Sequence, residues 1–178
     1  MQFDHFRIQL ITIADTDAYF RLIEQNRSRL EDFFAGTVAK TKTAADTAVF
    51  VQDIVKKSGD RTYFPYIVKD DLSGNIAGFI DVKNIDWNVP KAELGCFADA
   101  AYAGRGVAHK ALSLVIQHLF TGMGFNKLFL RTHSSNTAAR ALAEKCGFEK
   151  EGLIRRDYRT TKGELADLIY YGRINETI

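Results

Sequence analysis

The chain has 178 residues, of which 46% are apolar and 26% charged, and its formal net charge is +2. That length and apolar content suit one domain, residues 1–178, with a full core of its own. So slight an excess of base, with no basic run longer than two residues, excludes a nucleic-acid partner, and no apolar run approaches a membrane span. The two cysteines, Cys96 and Cys146, are isolated, which leaves neither a disulfide framework nor a Cys-x-x-Cys metal site. The opening Met1-Gln-Phe-Asp-His-Phe-Arg7 is too polar for a signal peptide, so a soluble cytoplasmic protein is expected.

In chain order, residues 6–13 alternate as a strand. Asp15 then stands as the N-cap of an amphipathic helix, residues 15–34, with Tyr19, Leu22, Ile23, Asn26, Leu30 and Phe33 at helical spacing. Residues 44–57 form a second helix with Val49, Phe50 and Ile54 on one side. The strands 63–69 and 76–83 are joined by the turn-rich Asp70-Asp-Leu-Ser-Gly-Asn75, a hairpin signal. A strand at 91–98 leads to Tyr102-Ala-Gly-Arg-Gly-Val-Ala108, which runs directly into a helix apolar on nearly all sides, as burial against a sheet requires. Residues 127–132 make another strand, and the alanine-rich helix 136–146 is stopped by Gly147. Two last strands, about 148–158 and 164–174, turn at Thr161-Lys-Gly163. Hairpins early and late with helices between predict an α/β (α+β) protein with a mixed, mostly antiparallel sheet.

The glycine loop carries the strongest chemical signal. Gly104 and Gly106 allow a ligand close to the backbone, and the first amides of the following helix lack intrahelical partners at the positive end of its dipole. A tight turn without a ligand is the alternative. A P-loop is excluded, because no lysine followed by a hydroxyl residue stands at the required spacing. A dinucleotide fingerprint would need a third glycine where the chain has His109, and an acidic residue about 20 positions on. His109 and His118 fall on opposite helix faces and cannot share a metal, so no metal site is expected. Cys146 ends a helix, where the dipole disfavours a thiolate nucleophile.

Three stretches taken in order, Ala92-Glu-Leu-Gly95, Gly104-Arg-Gly-Val-Ala108 and Asn136-Thr-Ala-Ala-Arg-Ala-Leu-Ala-Glu-Lys-Cys-Gly-Phe148, resemble the GNAT N-acetyltransferases. Asn26-Arg-Ser-Arg-Leu30, Phe33-Phe34 and Glu149-Lys-Glu-Gly152 are similar to the RimJ/RimL type, which acetylates ribosomal-protein N-termini. The resemblance covers nearly the whole chain. It implies a central sheet of six to seven strands flanked by about four helices, and acetyl-coenzyme A as co-substrate. The family's loop pattern, Gln/Arg-x-x-Gly-x-Gly/Ala, is met at Gly106 and Ala108 but begins on Ala103; the grip comes from the amides of Gly104, Arg105, Gly106, Val107 and Ala108. The pantetheine arm would run between strands 93–98 and 127–132. Asn136 is read as an N-cap, as a pantetheine ligand, or as both.

The implied chemistry is attack of a neutral amine on a thioester. A protein α-amine has a pKa near 8, so about a tenth is already neutral at pH 7, whereas a lysine near 10.4 is almost wholly charged. A weak base then suffices. Strand alternation puts Glu93, Gly95 and Phe97 on one face and Ala92, Leu94 and Cys96 on the other, so Glu93 is either that base or a solvent-facing edge carboxylate. The resemblance implies that backbone amides around Phe97 and Ala98 polarise the acetyl carbonyl. Phe33, Phe34 and Trp87 are read as lining the acceptor cleft, or else as core. The tyrosine or serine by which the family protonates the departing thiolate is replaced by Ala143 and Ala139. The expected acceptor is a primary amine, a peptide or protein N-terminus first; a polyamine, amino acid or antibiotic is the alternative, as is a non-catalytic acetyl-coenzyme A-binding module. A monomer or homodimer is expected.

Overall fold

In the computed structural model, residues 1–176 are described. An eight-stranded sheet runs in the order β1-β2-β3-β4-β5-β6-β8-β7. Its strands are β1 (Gln2–Phe3), β2 (Phe6–Leu10), β3 (Phe64–Asp70), β4 (Ile76–Asp86), β5 (Lys91–Ala98), β6 (Lys127–His133), β7 (Glu149–Arg159) and β8 (Leu165–Ile174). The helices are α1 (Thr16–Leu30), α2 (Ala35–Lys40), α3 (Ala44–Gly59), α4 (Val107–Thr121) and α5 (Thr137–Lys145). The predicted mixed, mostly antiparallel sheet is present, with one more strand than the upper expectation and a short extra helix. The added strand comes from the N-terminus, where residues 6–13 divide: β2 stops at Leu10 and pairs back with β1, while Ile13–Asp15 is a 3-10 turn.

Alternation along the central strands divides the core in two. Tyr66, Val68, Ile80, Val82, Ala92 and Leu94 face α4 and α5, meeting Leu112, Val115, Ile116 and Leu119. Ile67, Phe79 and Phe97 point to the other face, against Tyr19, Leu22 and Ile23 of α1 and Val51 and Ile54 of α3. Full burial of a side chain of this size contributes roughly 1.5–3 kcal/mol, so α4, apolar nearly all round, is held firmly against the sheet.

Three sequence expectations about the helices are corrected. Asp15 occupies the N-cap position of α1, but its side chain makes no capping bond there: Oδ2 accepts from Thr12 N–H at 3.0 Å and Thr12 Oγ at 2.8 Å, and Oδ1 from Lys69 Nζ at 2.8 Å. Thr12 and Asp15 thus close a capping box on the 3-10 turn, and the carboxylate is pinned to β3. α1 ends at Leu30, so Phe33 leaves the helical stripe and is 37% exposed. Val49 is 68% exposed; Thr47, Val51 and Ile54 form the buried stripe of α3 instead.

The feature that organises the molecule is the only parallel strand pair among the described residues. β5 and β6 are paired only from Lys91 to Glu93 against Lys127 to Phe129. Beyond Glu93, β5 continues to Ala98 on β4 and β6 continues to His133 on β8. The sheet opens as a wedge, and the facing backbone edges of 94–98 and 130–133 have no strand partner across it. Backbone groups in that position call for water or a ligand.

Candidate active site

A cavity of about 210 Å³ fills the wedge and passes through the sheet. On one side it is walled by Leu112 of α4 and by Ala139, Leu142 and Ala143 of α5, and on the other by Asp32, Phe33, Phe34, Lys83, Glu93 and Tyr158. Leu94, Gly95, Cys96, Leu130, Arg131 and Thr132 form its throat. On the α1 side it adjoins a second cavity of about 480 Å³, which shares Asp32, Phe33 and His133 and extends along Thr160, Lys162 and Glu164 to Asp167. The small side chains of 139 and 143 leave a narrow lane beside α5.

At the head of α4, Gly104 and Gly106 have φ of +74° and +75°, the left-handed region, and Gly106 is the N-cap residue. A Cβ at either position would meet nothing within 4 Å. These glycines therefore serve the backbone path and leave open space above the helix terminus, rather than accommodating another part of the protein. The loop is anchored from behind by two contacts the sequence reading did not foresee. Asn26, buried on α1, accepts from Ala100 N–H at 3.0 Å through Oδ1, while Nδ2 donates to Leu22 O. Tyr102 donates to Asp70 Oδ2 at 2.8 Å. Asp70 also receives Ser73 Oγ and the amides of Leu72 and Ser73. Against the effect of burial, these hydrogen bonds hold its carboxyl down to about 2. A polar residue within an apolar helical stripe, as Asn26 is, was the available signal.

Asn136 caps α5, its Oδ1 accepting Ala139 N–H at 3.1 Å, and it also lines the cavity. Its predicted capping role is present, and Nδ2 remains available to a ligand.

Glu93 is 5% exposed, and its carboxylate lies in the cavity wall. Oε2 accepts from Asn84 Nδ2 at 2.6 Å and Arg131 Nη2 at 3.0 Å; Oε1 accepts from Arg131 Nε at 3.3 Å. It is not a solvent-facing edge carboxylate. Arg131 extends the network to Asp157 Oδ2 at 2.6 Å. Burial pulls the guanidinium's proton affinity down, but its bonds to Glu93 and Asp157 more than offset this and raise it.

One strand over, Asp81 lies opposite Gly95 in the β4–β5 register. Its Oδ2 accepts from the Tyr63 hydroxyl at 2.8 Å and Lys83 Nζ at 3.3 Å. Burial, and then the Asp81 charge, push the Tyr63 hydroxyl far above its ordinary range. Asp81 Oδ1 and the buried hydroxyl of Tyr19 have no hydrogen-bond partner among the described residues.

Phe33 and Phe34 line the cavity, and Phe34 packs edge-on against Phe97 with centroids 5.1 Å apart. Trp87 does not join them. It lies beyond β4, 4.9 Å from the ring of Phe125 and beneath the Arg61 guanidinium, where it lines neither cavity. The side chain of Phe97 is buried core, so only its backbone can serve the site. The Ala98 carbonyl receives Arg29 Nη1 at 3.5 Å. With Ala139 and Ala143 in the wall, the hydroxyls facing the cavity are those of Thr132 and Tyr158. Tyr158 accepts Ala35 N–H at 3.2 Å and so joins β7 to α2 above the opening. Cys96 also faces the cavity, but burial, reinforced by Cys146 and Asp81, pushes its thiol up to about 12. Among the described residues no group of three or more His, Cys, Asp or Glu is placed to hold a metal ion, and no helix is long and apolar enough to cross a membrane.

A mixed sheet split at a parallel pair, with a glycine loop at the helix beside the split, is an architecture that suits an acyl-coenzyme A-dependent transferase. The family profile for the acetyltransferase (GNAT) domain matches residues 5–149, and the chain belongs to that family as an N-acetyltransferase. A curated relative from Bacillus subtilis, "Putative ribosomal N-acetyltransferase YdaF", is 28% identical over 170 residues, covering 94% of this chain and 90% of its own. Spermidine N(1)-acetyltransferase of Vibrio cholerae is 25% identical over 91 residues, 51% of this chain and 53% of its own. Among solved structures, RimL, the ribosomal L7/L12 α-N-protein acetyltransferase in complex with coenzyme A, superposes with a TM-score of 0.92 at 17% identity, covering 99% of this chain and 97% of that one.

Proposed function

We propose that this N-acetyltransferase moves acetyl from acetyl-coenzyme A to the α-amine of a peptide or protein N-terminus. The observation that carries the reading is the cavity through the β5/β6 wedge, joined on the α1 side to a groove. Two substrates can then meet from opposite faces of the sheet. The α5 side, with its small side chains and the unpaired strand edges, suits a pantetheine arm. The open space above Gly104 and Gly106 and the unpaired first amides of α4 suit its diphosphate. The groove between residues 32–33 and the β7–β8 turn has the extended shape that a chain terminus needs.

The reaction forms a bond from the amine nitrogen to the acetyl carbon and breaks the carbon–sulfur bond. The amine loses one proton and the leaving sulfur gains one. Glu93 is the proton acceptor in this reading, through Oε1, whose single contact is the longest of the three and leaves it free to take a proton directly or through one water. Tyr158, whose oxygen accepts from Ala35 while its own proton is free, supplies a proton to the sulfur in place of the side chains absent at 139 and 143. The Ala98 backbone amide, on the edge of β5 away from β4, completes the site in this reading by polarising the carbonyl, while the Phe97 amide is turned toward β4.

The test is release of coenzyme A thiol from acetyl-coenzyme A with a panel of free and N-blocked peptides beside spermidine, with melting curves for coenzyme A, NAD and ATP. The reading expects turnover only with free N-termini among the peptides and a melting shift with coenzyme A, lost in Gly106→Val because a β-branched side chain is strained at that φ and would occupy the open space the diphosphate needs. A coenzyme A shift without acetylation of any amine would favour a non-catalytic binding module.

A further inference from the structure

The acceptor side of the cavity carries four formally charged side chains, Asp32, Lys83, Glu93 and Arg131, with His133 at the junction to the groove. In both central ion pairs the carboxylate is withdrawn and the cation faces the opening. The Asp81 side chain is 7% exposed against 33% for Lys83, and Glu93 is 7% exposed against 29% for Arg131. Asp81 does not line the cavity at all; the Tyr63 hydroxyl holds it back, and Gly95 makes room for it by having no side chain. Asn84 holds Glu93 by Oε2 alone, so Glu93 stays in the cavity wall and only Oε1, with its longer bond to Arg131, is left to act there. The floor around Gly95 therefore presents N–H donors. Arg131 is shared between two carboxylates, Glu93 and Asp157, whereas Lys83 has Asp81 alone. Lys83 is the less neutralised of the two cations.

Taking the cavity as the acetyl-transfer site, as proposed above, we infer that Lys83, positioned by Asp81, determines acceptor class: its ammonium donates to the first carbonyl oxygen of an α-aminoacyl acceptor and repels the second ammonium of a polyamine. The chemistry follows from spacing. In an aminoacyl group the carbonyl oxygen lies within one residue of the attacking nitrogen, so an amine brought to Gly95 carries an acceptor to the neighbouring ammonium. A polyamine instead brings a further cation to a floor whose anions are buried. Asp32, at the rim shared with the groove, is the exposed carboxylate of this wall and lies on the path of either acceptor.

The test compares kcat/KM for three acceptors at fixed acetyl-coenzyme A: a short peptide with a free N-terminus, propylamine, which has no carbonyl, and spermidine. In the wild type the peptide is preferred to both. Lys83→Met lowers the peptide-to-propylamine ratio by roughly tenfold or more, the loss expected for one charge-assisted hydrogen bond, chiefly through KM, and raises spermidine relative to propylamine. Asp81→Asn shifts the ratios in the same direction because the ammonium loses its anchor, and Lys83→Arg retains the peptide preference. The coenzyme A melting shift of each variant reports on folding. Ratios unchanged in Lys83→Met would overturn this inference alone. A wild type that prefers spermidine to the peptide would overturn it together with the peptide reading, while leaving acetyl transfer standing. A wild type that acetylates none of the three would overturn the transfer reading itself.

Discussion

Gly95→Ala probes how the acceptor floor is built. A Cβ at position 95 would lie 2.1 Å from Asp81 Oδ1 and 3.2 Å from Asp81 Cγ and Lys83 Nζ, where ordinary contact begins at 3.4 Å. The carboxylate must therefore shift by more than about 1 Å. Aspartate has too short a side chain to move Oδ1 that far while Oδ2 keeps the Tyr63 hydroxyl at 2.8 Å and Lys83 at 3.3 Å. Leaving a buried polar group unsatisfied costs roughly 1–3 kcal/mol, and the reduced backbone freedom of alanine in a strand returns roughly 0.5–1 kcal/mol. The net destabilisation expected is about 1–2 kcal/mol, a fall in Tm of roughly 2–8 °C for a domain of this size. Urea unfolding of the wild type, both single variants and the double variant Asp81→Ala/Gly95→Ala separates the terms. With no carboxylate to meet, the new methyl should be neutral or slightly stabilising in the Asp81→Ala background. An equal loss in both backgrounds would refute the claim that Gly95 exists to seat Asp81.

Three further outcomes are expected. Glu93→Gln should lower turnover at neutral pH and lose less at high pH, where the amine deprotonates unaided; a pH-rate profile with a constant deficit would assign Glu93 to holding Arg131 instead. Ala139→Ser, adding a second hydroxyl beside that of Tyr158, should raise turnover while coenzyme A affinity by titration calorimetry stays the same, and tighter binding without faster turnover would show that proton supply to the sulfur does not limit the rate. Asp70→Asn should destabilise the protein near neutral pH. The folded carboxyl sits at about 2 against an ordinary 3.8, so the advantage of the wild type is present above pH 4 and is lost as pH falls toward 2. Urea midpoints at pH 7 and pH 2.5 should converge for the two proteins, and a gap of the same size at both values would remove Asp70 from the account of the loop anchor.

Elements with strong local signals were legible in the sequence. The bounds of β5 at 91 and 98 follow from alternation after the turn at Asn88–Pro90, and α5 stops where Gly147 takes a φ of +77°. The glycine loop, the capping role of Asn136 and the two faces of β5 were legible for the same reason. β1 was not, because two residues carry no period, and its existence depends on pairing with Arg7 and Phe6. Phe33 kept helical spacing beyond the last helical residue, and it was this break in α1 that brought it to the cavity. Trp87 had the right composition for a cleft but sits past the end of β4, where Phe64 and Phe125 offered it a cover.

The site itself divides along the same line. Glu93 could be assigned to a face from its own strand, but its partners come from elsewhere: Asn84 from β4 and Arg131 from β6, nine and 38 residues away. Lys83 joins the proposed acceptor floor, with Asp81 behind it, only because the β4–β5 register sets them opposite Glu93 and Gly95. A period-two pattern determines which side of a sheet a residue occupies, and register determines what it meets there. The donor-rich character of the floor follows from two pairings: Asp81 is held by Tyr63, just before β3, and Glu93 by Asn84 of β4, while Lys83 and Arg131 are left more exposed than either carboxylate. A carboxylate such as Glu93, read alone, suggests an acidic cleft suited to polyamines. Read with Arg131 and Asn84 in place, and with Lys83 beside it, the same residue belongs to the surface for which an acceptor bearing a carbonyl is proposed.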